Sequence, residues 1–144
     1  MFIMNWASDS EFKIVKKYFP FSCVDLIVMT SNGYILIKRQ DDPYRGLWHL
    51  PGGIIHKGQT MFQKANEVAE RELGFKVNLL QFVGVFENLH QFRHDISHCF
   101  MVKPNDPKFE FLNTDGIKAF KKNPPNMIPY HKDIIRYARE KKFM

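Results

Sequence analysis

The strongest constraint on the fold is an amphipathic helix predicted just before Gly74. Thr60-Met61-Phe62-Gln63 has the T-x-x-Q form of a capping box, which marks a helix N-terminus. Gly74 stands where a glycine commonly ends a helix. At about 100° per residue, the apolar side chains of 61–73 gather on one side, which predicts a helix lying on a sheet. The opposite, polar side carries Gln63, Lys64, Asn66, Glu67, Glu70 and Arg71.

Capping, turn and breaker signals elsewhere predict helices and strands in layers. Ser8-Asp9-Ser10-Glu11 is a second capping box and predicts an N-terminal helical segment, residues 1–20, closed by Pro20. Ser31-Asn32-Gly33 predicts a hairpin turn between the apolar run 23–29 and a strand at 34–39. Further strands are predicted at 77–86 and 96–102 and as two short strands within 109–120, and a last helix at 130–142 in the C-terminal segment 128–144. The order predicts an α+β fold, with α/β/α layers, in a single domain of residues 1–144.

Length and composition exclude several classes of protein. The 144 residues are 44% apolar and 25% charged, which is ordinary for a globular chain. No apolar run approaches the roughly 20 residues that span a bilayer, and residues 1–9 lack the pattern of a secretory signal. Cys23 and Cys99 are too few for a disulfide framework and fit a reducing compartment. We therefore expect a cytoplasmic protein with no membrane partner.

The net charge of +6 favours a phosphate-bearing partner, either a nucleotide or a nucleic acid. Much of this charge lies in one C-terminal run of lysine and arginine that is typical of a solvated helix face. The chain has no visible module that combines aromatic and basic residues for nucleic-acid recognition. We therefore expect a nucleotide, rather than a nucleic acid, as the main partner.

Glu72 is a charged residue on the margin of the apolar side of the helix predicted at 61–73. It falls one turn after Val68. A carboxylate directed at a core costs several kcal/mol unless it is paired, so it requires a partner. Glu72 would either bend out to water or to a lysine, or face a cleft and bind a divalent metal ion through oxygen.

The sequence before and after Glu72 resembles the Nudix hydrolases. Gly46-Leu47-Trp48-His49-Leu50-Pro51-Gly52-Gly53, then a loop, then Glu72-Leu73-Gly74-Phe75 fit the signature G-x5-E-x7-R-E-U-x-E-E-x-G-U, in which U is aliphatic. Gly53 is its first glycine, and residues 52–75 form a modified Nudix box. The departures from the signature are Gln59, Glu67, Val68 and Arg71. The Arg and Glu of the family become Glu67 and Arg71, which would keep their ion pair with reversed polarity.

The resemblance is greatest to the GDP-mannose mannosyl hydrolases, whose box is also thinned, and it extends from Phe12 to Phe86. It implies a Nudix-type α/β/α sandwich, with a mixed central sheet packed against the box helix and a C-terminal helix. It also implies one Mg²⁺, with Mn²⁺ as an alternative. The implied ligands are the backbone carbonyl of Gly52, the carboxylate of Glu72 and, by a looser match, the amide of Asn113. Oxygen ligands with positions left open for phosphate suit Mg²⁺.

The same resemblance implies catalytic roles for Arg39 and Asp25. Arg39 matches an arginine that assists departure of the leaving group, and its fork of N–H donors suits a phosphate. Asp25 matches an acid of the same site and is isolated in an apolar strand. An inward aspartate that only caps a turn is the structural alternative for Asp25.

The general base and the stacking residue are less well defined by the sequence. Thr114 stands where the branch has its histidine, and a hydroxyl does not act as a base near neutral pH. We select His94 as the candidate base and Phe92, in a polar loop, as the candidate that stacks on substrate. The alternatives for the base are His90, His98, Glu87 and Asp95. Trp48 is predicted to lie in the core.

The sequence is compatible with three functions. The first is a Mg²⁺-dependent hydrolase of a nucleoside-diphosphate sugar similar to GDP-mannose, which releases nucleoside diphosphate and sugar. The second is a Nudix pyrophosphohydrolase that cleaves a nucleoside diphosphate derivative at its phosphoanhydride. The third is a non-catalytic nucleotide-binding module, which the missing box carboxylates motivate. A homodimer is common in the resembling branch.

Overall fold

A computed structural model of the protein describes residues 6–90 and 93–144, and the strands in these residues form a mixed sheet. The helices are α1 (Asp9–Tyr18), α2 (Met61–Leu73), α3 (Pro129–Glu140) and a 3₁₀ helix (Pro107–Phe111). The strands are β1 (Phe21–Thr30), β2 (Gly33–Lys38), β3 (Trp48–His49), β4 (Gly52–Ile54), β5 (Val77–His90), β6 (Arg93–Pro104) and β7 (Ile117–Phe120). The sheet order is β3-β2-β1-β6-β5, with β4 paired to β1 and β7 paired to β2.

Strand β1 is the centre of this sheet. It runs antiparallel to β2 and β4 and parallel to β6, with Phe21 opposite Asp95 and Val28 opposite Val102. Every side chain from Cys23 to Val28 is buried. Burial on both faces is typical of a strand covered by helices on either side. Asp25, the charged residue in this buried run, is therefore held inside the protein.

Two apolar cores, one on each face of the sheet, confirm the predicted α/β/α arrangement. On one face α2 and β1 bury side chains that include Val24, Leu26, Ala65, Val68, Ala69 and Leu73. On the other face α3, β1, β2 and β6 bury side chains that include Ile27, Leu36, Met101, Ile134, Ile135 and Ala138. Trp48 is buried in this second core, edge-on to Phe120 with 4.9 Å between ring centroids, as predicted. The box helix and the C-terminal helix therefore lie on opposite faces.

The helix boundaries follow the local signals in the sequence. The Ser8 side chain accepts a hydrogen bond from the Glu11 backbone N–H at 3.3 Å, and Thr60 does the same for Gln63 at 3.1 Å. Both reciprocal side-chain bonds of the capping boxes are present. Gly74 ends α2 with φ of 85°, a left-handed conformation that favours glycine. Both predicted capping boxes are thus confirmed.

The segment between β6 and α3 corrects the sequence prediction. Two short strands were expected within 109–120, but Pro107–Phe111 is a 3₁₀ helix and only Ile117–Phe120 is a strand among the described residues. The Asp106 carboxylate accepts a hydrogen bond from the Lys108 backbone N–H at 3.0 Å, and Pro107 occupies the first turn. Asp-Pro is a helix start that the prediction overlooked.

The two cysteines are free and buried, and neither forms a disulfide. Burial raises the pKa of the Cys23 thiol to about 12 and also raises the pKa of Cys99. Both side chains therefore act as small apolar groups in the sheet. Among residues 6–90 and 93–144, none of the helices is both long and apolar enough to cross a bilayer.

Candidate active site

A cavity of about 340 Å³ opens where β1, β4 and the last turn of α2 meet the start of α3. It contains Asp25, Arg39, Gly52 and Glu72, which the sequence selected, and also His90 and Asp95, two of the alternatives for the base. Its other lining residues include Lys16, Cys23, His49, Leu50, Asn88, Arg93, Tyr130 and His131. Residues far apart in sequence therefore form one polar pocket.

Glu72 enters the cavity from the last turn of α2. Its side chain is 22% exposed, and Oε1 lies 3.3 Å from Arg71 Nη2. Oε2 is buried and has no hydrogen-bond partner among the residues that the structure describes. Burial raises the pKa of Glu72, while the Arg71 guanidinium and the Gly52 backbone oppose this effect. One oxygen of this carboxylate is thus available to a ligand.

Gly52 lies directly beside Asp25 and leaves no room for a side chain. The two residues are register partners in the β1–β4 pair. A Cβ atom on Gly52 would come within 2.1 Å of Asp25 Oδ1 and 2.8 Å of the Val24 carbonyl oxygen. The glycine therefore allows β4 to close over the carboxylate, which brings α2, β1 and β4 together around the cavity.

Asp25 is buried in the middle of β1, and both of its oxygens have neighbours. Ser97 Oγ donates a short hydrogen bond to Oδ2, and His131 Nε2 lies 4.0 Å from Oδ1. Burial raises the pKa of Asp25 to about 6, against the effect of the Ser97 hydrogen bond. The partners are in the sheet and in α3, so Asp25 does not act as the cap of a turn.

Two histidines in the cavity were not selected from the sequence. His49 Nδ1 lies 2.8 Å from the Leu50 carbonyl oxygen, and the Leu50 backbone N–H donates to His131 Nδ1 at 2.9 Å. Burial lowers the pKa of each imidazole to about 4. His49 could have been found from the sequence because it lies inside the Gly46–Gly53 motif. For His131 the sequence gives no indication of a site residue beyond its position in the last helix.

Arg39 directly follows β2, where the loop turns back over the cavity. Its backbone N–H donates to the Leu47 carbonyl at 2.8 Å, and its carbonyl accepts from the Gly46 N–H at 2.9 Å. Its Nε donates to the Pro43 carbonyl. These bonds hold the guanidinium at the cavity wall, where it can bind an anionic group.

Two other residues predicted for the site, His94 and Asn113, do not line this cavity. His94 lies on β6, with Nε2 3.5 Å from Glu87 Oε1, and does not line the cavity. Asn113 is exposed in the loop before β7 and does not line it either. The physical reason is that strand pairing directs these segments to other surfaces, which a loose sequence match does not reveal. Phe92 lies outside the described residues.

The polar side of α2 holds a network of ion pairs. Glu67 Oε1 lies 3.1 Å from Lys64 Nζ and 3.2 Å from Arg71 Nη1, and Gln59 donates to Oε2. This arrangement confirms the Glu67–Arg71 pair of reversed polarity. Lys64 was predicted on the polar side of the helix, yet it is only 2% exposed, because its aliphatic stem packs next to Gly53.

The oxygen donors of the cavity fit a hard divalent cation. Within residues 6–90 and 93–144, no group of three or more His, Cys, Asp or Glu side chains is arranged to hold a metal ion. The unpaired oxygen of Glu72 is a fitting single carboxylate ligand. Mg²⁺ is commonly held by one or two carboxylates together with oxygens of the substrate. The donor set thus fits a cation that is coordinated partly by the protein and partly by the oxygens of a phosphate.

Comparisons with known proteins identify a matching family model and similar sequences. The NUDIX domain family model matches residues 20–140. The low-salt glycan biosynthesis protein Agl8 of Haloferax volcanii is 28% identical over 131 residues, covering 85% of this chain and 84% of the relative. An ADP-ribose pyrophosphatase of Methanocaldococcus jannaschii is 31% identical over 78 residues, but covers only 51% of this chain and 46% of that protein.

Solved structures show the same fold. A NUDIX hydrolase from Nitrosomonas europaea superposes with a TM-score of 0.70 at 23% identity, covering 86% of this chain and 72% of the other. A UDP-X diphosphatase superposes with a TM-score of 0.67 at 18% identity, covering 97% and 74%. The region that matches the domain model, residues 20–140, contains β1, β4, α2 and α3, the elements around the cavity.

Proposed function

The chain belongs to the Nudix family of hydrolases, and from this premise we propose that it hydrolyses a nucleoside-diphosphate sugar with the aid of Mg²⁺. The products would be a nucleoside diphosphate and a free sugar, as for a substrate similar to GDP-mannose. The observation that carries this proposal is Oε2 of Glu72, which is buried without a hydrogen-bond partner among residues 6–90 and 93–144, in a cavity that also contains Arg39.

Glu72 and the backbone carbonyl of Gly52 would hold the metal ion, with Mn²⁺ as the alternative to Mg²⁺. The bound cation would neutralise the charge that develops on the departing diphosphate. Asn113 is not included in this ligand set, because it does not line the cavity. Phosphate oxygens of the substrate would then complete the coordination.

The chain's own residues have separate tasks in this proposal. Arg39 would bind the diphosphate through its guanidinium, since a fork of N–H donors matches phosphate oxygens. Asp25 would hold His131 and the Gly52 corner in place, because its oxygens face Ser97 and His131. Neither task requires the carboxylates that the box lacks.

The names of similar proteins support the substrate class. Agl8 is named for glycan biosynthesis, and the others are named an ADP-ribose pyrophosphatase and a UDP-X diphosphatase. The last two names favour the second candidate, cleavage of a phosphoanhydride within a nucleoside diphosphate derivative. Hydrolysis in ¹⁸O-labelled water separates the two: the label enters the sugar hydroxyl in the first reaction and a phosphate in the second.

Replacing Glu72 with glutamine tests the metal site. Glu72→Gln keeps the shape of the side chain but removes its charge, so we expect turnover with Mg²⁺ to fall by more than about 100-fold, beyond the effect usual for residues outside the coordination shell. The readout is release of nucleoside diphosphate and reducing sugar from a panel of nucleotide sugars that includes GDP-mannose.

Glu70→Gln is the matched control for this test. Glu70 lies in the same turn of α2, is half exposed and is 3.8 Å from Lys76, so we expect its rate to stay within about twofold of the wild-type rate. Equal turnover of the two variants would exclude Glu72 as a metal ligand. Nucleotide binding without Mg²⁺, together with no turnover on the whole panel, would instead favour the non-catalytic module.

Two further parts of the proposal concern location and assembly. A cytoplasmic location is supported by the free, buried thiols of Cys23 and Cys99. A homodimer is supported by the exposed apolar side chains on β5, which lies last in the strand order. These side chains are Leu79, Leu80, Phe82, Val85 and Leu89.

A further inference from the structure

The backbone of Leu50 fixes the protons on two histidines of the cavity. The Leu50 carbonyl oxygen lies 2.8 Å from His49 Nδ1, and the Leu50 N–H donates to His131 Nδ1 at 2.9 Å. A carbonyl oxygen only accepts, so His49 Nδ1 carries the proton. An N–H only donates, so His131 Nδ1 is unprotonated. The two neutral imidazoles are therefore opposite tautomers.

We infer that His49 is the general base, whose Nε2 removes a proton from the water that attacks the substrate. In its tautomer the lone pair lies on Nε2, and no residue in the described part of the chain forms a hydrogen bond with that atom. His49 lines the same cavity as Glu72 and Arg39. This inference rests on the proposed function and supplies the base that the sequence did not identify.

His131 and Asp25 do not offer the same chemistry. The lone pair of His131 is on Nδ1 and already accepts the Leu50 N–H, while Nε2–H lies on the side of Asp25, 4.0 Å from Oδ1. The other oxygen of Asp25 accepts from Ser97. These two side chains form a structural pair in the cavity wall, and of the three residues only His49 has an available lone pair.

The surroundings of His49 keep its imidazole in the basic form at neutral pH. Burial is the main cause that lowers its pKa to about 4, and the charge of Arg39, and that of His131 when protonated, act in the same direction. The Leu50 carbonyl and Asp25 act in the opposite direction. Glu72 of α2, Arg93 and Asp95 of β6, and Lys16 of α1 are the other charged groups that line the cavity.

The proposed step balances atoms and electrons. His49 Nε2 takes one proton from water, and the water oxygen forms a bond to the anomeric carbon of the sugar. The bond from that carbon to the phosphate oxygen breaks, and its electron pair leaves with the nucleoside diphosphate. The imidazolium then returns its proton to solvent, which completes a hydrolysis with no other reactant.

The test is the variant His49→Asn, assayed with GDP-mannose and Mg²⁺. The asparagine amide can still donate to the Leu50 carbonyl, but it has no basic nitrogen. We expect kcat to fall about 10²–10⁴-fold, the usual contribution of general base catalysis. Binding of GDP with Mg²⁺, measured by calorimetry, should stay within about threefold of wild type, because the imidazole does not bind the diphosphate.

His98→Asn is the matched control. His98 is also half-buried and donates from Nδ1 to a backbone carbonyl, that of Cys23 at 3.0 Å, but it does not line the cavity. We expect its kcat within about twofold of wild type. A second variant, His49→Ala, leaves space for a small base, so added imidazole should raise its rate at least about tenfold while the wild-type rate stays unchanged.

The outcomes are distinct. A His49→Asn enzyme with kcat within threefold of wild type overturns the assignment of the base and leaves the proposed function intact. Loss of GDP binding in parallel with kcat, and no rescue of His49→Ala by imidazole, overturns it as well. A wild-type protein that hydrolyses no nucleotide sugar on the panel overturns both the base and the function.

Discussion

A methyl group on Gly52 would clash sterically with the side chain of Asp25. The added Cβ would lie 2.1 Å from Asp25 Oδ1 and 2.8 Å from the Val24 carbonyl oxygen, whereas ordinary contacts begin at about 3.4 Å. The Val24 backbone cannot move freely, because β1 is paired with β4 on one side and β6 on the other. The Asp25 carboxylate must therefore turn away and lose its hydrogen bond from Ser97.

The expected cost of Gly52→Ala follows from these two effects. Overpacking a close-packed site costs about 1–3 kcal/mol, and a buried hydrogen-bonded group that loses its partner costs about 1–3 kcal/mol. We therefore expect the free energy of unfolding to fall by about 2–6 kcal/mol. For a chain of this length the melting temperature should fall by about 3 °C for each kcal/mol.

Urea denaturation followed by tryptophan fluorescence measures this cost, since Trp48 is buried. Gly84→Ala is the control: Gly84 is also in a strand, and its added Cβ would lie 3.5 Å from the Phe86 ring, an ordinary contact. We expect the control to change stability by less than about 1 kcal/mol. A Gly52→Ala protein as stable as this control would refute the close approach of Gly52 to Asp25.

Two further predictions concern Arg39 and His131. Arg39→Ala should lower kcat about tenfold or more, with little effect on Mg²⁺ affinity. Arg45→Ala is the control and should change neither quantity, because Arg45 is exposed and lies 3.7 Å from Asp42. Equal losses of rate and Mg²⁺ affinity in Arg39→Ala would contradict the assignment of Arg39 to the diphosphate. Burial holds the pKa of His131 at about 4 in the folded protein, against about 6.5 in the unfolded chain, so stability from the neutral imidazole is complete above pH 6.5 and is lost as pH falls towards 4. Urea denaturation between pH 7 and 5 should show His131→Gln losing about 2 kcal/mol less than the wild type, and parallel pH profiles would contradict this.

The sequence predicted the elements whose causes are local. The capping boxes at Ser8 and Thr60 and the glycine at 74 act within one helical turn, so α2 begins and ends where expected and α1 begins directly after its predicted capping residue. The parallel pairing of β1 with β6 joins segments about seventy residues apart, and no local pattern encodes it. The 3₁₀ helix at Pro107–Phe111 was missed although its signal, Asp106-Pro107, was present.

The same difference between local and long-range causes applies to the residues of the site. Glu72 was predicted because helical periodicity placed it on the margin of the apolar side, and it lies in the cavity. Lys64 was placed on the polar side by the same rule, but its long stem reaches under Gly53, which periodicity alone does not describe. His49 and His131 acquire their roles only when β3 and α3 meet at the backbone of Leu50, 81 residues from His131.

The loss of two glutamates from the box and the presence of a neutral histidine in the cavity have a common chemical explanation. With Val68 and Arg71 at positions where the family signature has glutamates, Glu72 is the carboxylate of α2 that lines the cavity. A further carboxylate used as the base would compete for the cation, because Mg²⁺ prefers oxygen ligands. An imidazole avoids this competition, since it is uncharged in its basic form and its nitrogen is a poor ligand for Mg²⁺. A site that keeps one carboxylate for the metal ion therefore gains from a histidine as its base.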